Sequence, residues 1–280
     1  MNVPRGLFRL ASLALLVCGL AGRAEERAYL FTYFTGNGED GLHLAWSEDG
    51  YRWQALNGGA SFLTPQIGKD KLMRDPCVTR GPDGTYHLVW TSGWWDNHIG
   101  YASTRDFLEW SEQKSIPVMA HEPKVRNAWA PEVAWDAKRR QFLIFWASTI
   151  PGKFAETAGA SEDDLNHRIY ATTTQDWAAF TPTRLFIEPG FSVIDATLLP
   201  ADDGKFRMIV KDETRTPPKK HLRIATADDT AADCALPALT AMRVGGPATP
   251  VAARMMDERP VTFTLSVLLP ATVPSVHAPS

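Results

Sequence analysis

Cysteine is scarce in this 280-residue chain, which has three. Cys18 falls in an N-terminal apolar stretch, which leaves Cys77 and Cys234. One pair makes no disulfide framework, and no Cys/His cluster has zinc-ligand spacing. Cys77 stands in an apolar run and reads as a small buried side chain. An excess of one charge is lacking too. Lys and Arg number 29 against 32 Asp and Glu, a net charge of −3, and no basic stripe is visible. Nucleic acid is therefore not an expected partner. The apolar stretch Leu10 to Leu20 is too short to span a bilayer easily. Amphipathic helical patterning is missing between the strand-like runs described below. Aromatics are missing late in the chain: all ten Trp precede Phe180, and only Phe263 follows Phe206.

The N-terminus reads as a secretory signal covering residues 1–24. Arg5 and Arg9 supply positive charge, Leu10 to Leu20 the apolar core, and Gly22-Arg23-Ala24 the small residues for cleavage before Glu25. Leu15-Leu16-Val17-Cys18-Gly19 approximates a lipid-attachment motif, with Val17 where a small residue is wanted. The expected location is outside the cell or in the periplasm.

The main body repeats itself. Leu42 to Ser47 alternates apolar with small or polar residues, as a half-buried strand does, and leads to Asp49 and Trp53. Ile99 to Ser103 leads to Asp106 and Trp110. Ile169 to Thr173 leads to Asp176 and Phe180, and Leu222 to Thr226 leads to Asp228. These Asp residues lie 57, 70 and 52 positions apart. Self-similarity at that period, built from strands, predicts an all-β fold of radial repetition, a five-bladed β-propeller with about four recognisable blades. A sandwich is the alternative. The Asp-x-x-x-aromatic segments are expected as outer strands. The first unit lacks an inner strand. Residues 25–226 form the repeat domain. Residues 227–280, rich in Pro and Ala, do not continue it and fit a truncated or frameshifted reading frame; Val261 to Leu269 is their one strand-like run.

Three acids precede equivalent hairpins. Asp75 leads to the run Thr85 to Trp90, Glu132 to Gln141 to Trp146, and Asp195 to Lys205 to Val210. From acid to first aromatic the distances are 11, 10 and 11 residues, which places the acids at equivalent positions on inner strands. Acids so placed converge at one mouth of a central channel. A carboxylate pair there can divide acid and base work, as inverting glycosidases require. Taken singly, Asp75 or Asp195 would read as a turn cap or as a partner of Arg74 or Lys211. Trp94, Trp95 and Trp129, in loops beside strands, offer indole faces on which sugar rings stack. His98, His121 and His167 could bond sugar hydroxyls, although a loop His alone reads as a surface residue. Asp212, Glu213 and Arg215 read as a surface ion-pair cluster.

Arg74-Asp75-Pro76, Trp129-Ala130-Pro131-Glu132-Val133 and Val193-Ile194-Asp195-Ala196-Thr197 together resemble glycoside hydrolase family 43, over residues 27–226. The resemblance implies a five-bladed propeller and inverting hydrolysis of arabinose-, xylose- or galactose-containing polysaccharides. It implies Asp75 as general base, Asp195 as the group tuning the acid, and Glu132, Trp129, Trp94 and Trp95 as substrate-binding. The family's general acid, a Glu followed by Gly-Pro, has no counterpart after Asp195. An inactive enzyme or a non-catalytic sugar-binding propeller are therefore the competing expectations, with a structural propeller behind them. No cofactor is expected; calcium occurs in some relatives, but no ligand set here demands it. The expected partner is a carbohydrate, and the expected state a monomer without a membrane span.

Overall fold

A computed structural model describes residues 28–161, 164–200, 206–219, 221–227 and 240–241. The expected signal and most of the tail lie outside them. The chain forms consecutive antiparallel sheets. The first holds β1 (Tyr29–Tyr33), β2 (His43–Ser47) and β3 (Gln54–Ala55). The second holds β4 (Arg74–Arg80), β5 (Tyr86–Thr91), β6 (Ile99–Thr104) and β7 (Lys114–Ile116). The third holds β8 (Trp129–Asp136), β9 (Gln141–Ser148), β10 (Arg168–Thr174) and β11 (Arg184–Ile187). The fourth holds β12 (Val193–Pro200), β13 (Phe206–Asp212), β14 (Leu222–Ala227) and β15 (Thr240–Ala241). Each sheet uses strands consecutive in sequence, unlike the crossed connections of a sandwich. The first sheet has three described strands where the others have four.

Period-two alternation explains how the sheets stack. Phe142, Ile144 and Trp146 of β9 join a core with Cys77, Val89 and Ile99 of the second sheet. Leu143, Phe145 and Ala147 face the other way, into a core with Val193, Met208 and Val210 of the fourth. Likewise Leu88 and Trp90 of β5 pack with Leu42 and Leu44 of the first sheet. A strand covered on both faces reads as a continuous apolar run, which is why Phe142 to Ala147 shows no polar alternation. Cys77 is buried in the core shared by the second and third sheets.

The Asp-x-x-x-aromatic segments are turns, not the outer strands expected. Asp49 Oδ1 accepts the Tyr51 and Arg52 N–H groups, and Ser47 Oγ donates to it. Asp106 repeats this with Leu108, Glu109 and Thr104. Asp176 repeats it with Ala178, Ala179 and Thr174. A carboxylate taking two successive N–H groups bends the chain, as in an Asx turn. Trp110 and Phe180 then return as single bridges to Thr104 and Thr174. The fourth strand of these sheets follows later.

Candidate functional site

The inner strands β4, β8 and β12 break their ladders at the same place. Pairing jumps from Arg74 to Cys77, from Trp129 to Glu132 and from Ile194 to Thr197. The first residue of each bulge is left-handed: Asp75 at φ 49°, Ala130 at 46° and Asp195 at 53°. A non-glycine residue there costs on the order of 1 kcal/mol or more, and such bulges re-aim side chains beside active sites.

The ladder corrects the equivalence expected from spacing. Asp75 and Asp195 do correspond, but their counterpart in the third sheet is Ala130. Glu132 corresponds instead to Cys77 and Thr197. β8 runs one residue further past its bulge than β4 or β12, so counting back from the hairpin misplaces the acid.

Asp75 is half-buried. Its Oδ2 accepts the Thr91 hydroxyl at 3.0 Å, and Thr91 Oγ1 accepts the Ala130 N–H at 2.8 Å. One hydroxyl thus ties the acid of β4 to the bulge of β8. The Pro76 carbonyl accepts the Thr32 hydroxyl at 2.7 Å, which ties β4 to β1. Asp195 has about half its side chain exposed, and Lys211 Nζ lies 3.4 Å from its Oδ2. Lys211 also lies 2.8 Å from Glu213 Oε1. Surrounding chain lifts the Asp195 carboxyl above its ordinary range, with Lys211 opposing; solvent access moderates the effect.

Glu132 lies deeper, at 7% exposure. Burial first, then the Asp195 charge, push its carboxyl up to about 8, against the Thr197 hydroxyl that donates to its Oε2 at 2.9 Å. It is therefore mostly neutral at pH 7. Asp75 and Asp195 thus flank the start of β8, linked to it through Thr91 and Glu132.

The three indoles come together. Trp129 opens β8, instead of preceding it in a loop, and its Nε1 donates to the Trp94 carbonyl at 2.7 Å. Its ring centre is 5.6 Å from Trp94 and 5.5 Å from Trp95, which are 38% and 48% exposed. The Arg74 guanidinium stacks 4.3 Å from the Trp94 ring, and that of Arg126 4.8 Å from Trp95. His167 is buried, not at the surface as expected, with its ring 5.3 Å from Trp129. Asn127 Oδ1 takes the Thr149 N–H, so its Nδ2 donates to His167 Nε2 and the imidazole proton is assigned to Nδ1. Burial, then Arg126, Arg168 and Lys211, push this imidazole down to about 3.

His98 Nδ1 stands 3.3 Å from Asp96 Oδ1. His121 lines a cleft of about 340 Å³ between the second and third sheets, with Val118, Phe180 and Thr183. None of the candidate acids borders it. Asp212, expected at the surface, is fully buried and takes Arg223 at 2.6 Å. Thr91 and Lys211 went unseen as site residues because the ladder, not the local sequence, places them opposite the bulges; Asn127 is set beside His167 by the approach of residues 40 positions apart. Among the described residues no group of three or more His, Cys, Asp or Glu side chains is placed to hold a metal ion.

A family profile described as a probable glycosyl hydrolase domain, related to family 43, matches residues 25–235. An alpha-L-arabinofuranosidase of Bifidobacterium longum subsp. longum is 26% identical over 201 residues, 62% of this chain. The chain spans 19% of that relative's length. Among solved structures, an exo-beta-1,3-galactanase from Clostridium thermocellum aligns at TM-score 0.55 and 13% identity, over 77% of this chain and 46% of its own. A family 43 beta-1,3-galactosidase aligns at 0.52 and 14%, over 73% and 42%. Both likenesses are of fold. With its profile match covering most of the sequence, the chain belongs to the family 43-related glycosyl hydrolases.

Proposed function

We propose that this is an exported domain that binds arabinose-, xylose- or galactose-containing glycans at the mouth formed by Asp75, Asp195 and Trp129. In this reading Asp75 is the base that activates water for inverting hydrolysis. The observation that carries it is the pair of carboxylates on matching left-handed bulges, on either side of β8 and its indole cluster. Thr91 holds one oxygen of Asp75. Trp94 and Trp95 offer exposed ring surface for a sugar, and the neutral Glu132 floors the subsite. The named relatives, an arabinofuranosidase, a galactanase and a galactosidase by title, support the arabinose and galactose part of this range.

In this reading the ring is a five-bladed propeller, and no Glu-Gly-Pro proton donor follows Asp195 in the sequence. General acid catalysis contributes roughly 10²–10⁴-fold. A leaving group acidic enough to depart unprotonated bypasses that need. Dinitrophenyl arabinofuranoside, xyloside and galactoside are therefore compared with the matching disaccharides. Turnover of an activated glycoside, with disaccharide rates lower by that factor, supports the reading. The second reading is a sugar-binding propeller without turnover. It is favoured by oligosaccharide binding in calorimetry with no hydrolysis of either substrate. No binding and no turnover would sink both.

A further inference from the structure

Register places three residues of the second strands opposite the three bulges. Thr91 pairs with Arg74, Ala147 with Trp129 and Lys211 with Ile194, each the residue just before the bulge. Where the bulge carries an acid, its facing strand carries a donor: Thr91 to Asp75 at 3.0 Å, Lys211 to Asp195 at 3.4 Å. Where the bulge carries Ala130, the facing residue is Ala147, which has nothing to donate. The two donors differ in kind. Thr91 is neutral, fully buried, and its oxygen is also engaged by the Ala130 N–H. Lys211 is a cation shared between Asp195 and the nearly buried Glu213, 2.8 Å away.

We propose that Thr91 and Lys211 are positioning residues that set the two bulge carboxylates to different tasks in the hydrolytic site. The inference deepens the proposed function and rests on it for the word hydrolytic. A neutral hydroxyl fixes one oxygen of Asp75 in place without itself adding a charge to the carboxylate. A cation holds Asp195 charged and oriented, as a fixed negative charge beside the reacting sugar. Glu213 divides the Lys211 ammonium with Asp195 and so limits how far Asp195 is stabilised. The groups facing Asp195 in this scheme are Lys211 on β13, Glu213 beyond its end, and Glu132 on β8.

The test is a pH titration of the full chain labelled with ¹³C at Asp carboxyls, read by NMR. In Lys211→Met the Asp195 midpoint moves to higher pH while Asp75 stays. In Glu213→Gln, which frees Lys211 for Asp195, the Asp195 midpoint moves to lower pH. Thr91→Val moves Asp75 upward and leaves Asp195 in place. Lys211→Arg returns Asp195 close to its starting midpoint. An Asp195 midpoint indifferent to both Lys211→Met and Glu213→Gln overturns the proposal, as does an equal movement of both carboxylates. Glu213→Gln keeps the test alive if Lys211→Met fails to fold. Sugar binding is measured on the same samples by calorimetry. Shifted midpoints without binding leave the positioning intact and remove the sugar reading; binding with unmoved midpoints does the reverse.

Discussion

Asp75 carries the sharpest test at the scale of one residue. Asp75→Ala removes the proposed base, and turnover of an activated glycoside should fall by roughly 10²–10⁴. Oligosaccharide affinity should change far less, because the indoles and Glu132 remain. Steady-state kinetics beside calorimetry separates the two, and a parallel loss of binding would count against the assignment. Asp75 and Asp195 were legible in the sequence because an acid before an apolar run is unusual and recurs. Their true counterpart was not, because a bulge leaves no mark in residue counts. One signal was available: Asp75-Pro76 and Ala130-Pro131 align as residue–proline pairs, with Glu132 two places beyond. His167 was misread because its burial comes from Trp129 and Asn127, one of them 40 residues away.

At the scale of elements, the turns repeat more faithfully than the strands. Asp106→Ala strips the Leu108 and Glu109 N–H groups of their acceptor, and should lower the melting temperature. Asp106→Asn keeps the accepting oxygen and should recover most of the loss; equal loss in both would sink the turn account. Gly100 has a different reason to be small. A Cβ there would come 2.0 Å from Trp90 Cε2, in a core where that indole is fully buried. Gly100→Ala should therefore destabilise by about 1–3 kcal/mol in urea unfolding. The strands themselves were readable from alternation and aromatic content. Their fourth members were not. A chain that has just turned on an Asp carries no further periodicity to mark where it rejoins the sheet.

For the whole molecule, buried titratable groups shape stability against pH. Burial pushes His87 down to about 4 and His167 to about 3, from an ordinary 6.5. Folded values below unfolded ones mean that stability is full above pH 6.5 and is lost as pH falls toward 4. For His87 that loss is on the order of 3 kcal/mol by pH 4. Glu132 acts in the opposite sense. Its folded value, about 8, lies above its ordinary 4.5, so its contribution is full below pH 4.5 and fades as pH rises through 8. Urea unfolding across pH should thus give a maximum near pH 6.5, with Glu132→Gln flattening the alkaline side by a few kcal/mol, to order of magnitude. An unchanged alkaline limb in that variant would refute the neutral buried carboxyl. The sheet-on-sheet cores were legible as apolar runs, whereas the pairing of partners across them was not. The left-handed bulge has a last consequence. Its backbone is the same whether it carries Asp75, Asp195 or the methyl of Ala130. Either aspartate codon becomes an alanine codon by one base change. Charge at Asp75 or Asp195 can therefore be lost by a single nucleotide change, with the architecture around it left standing.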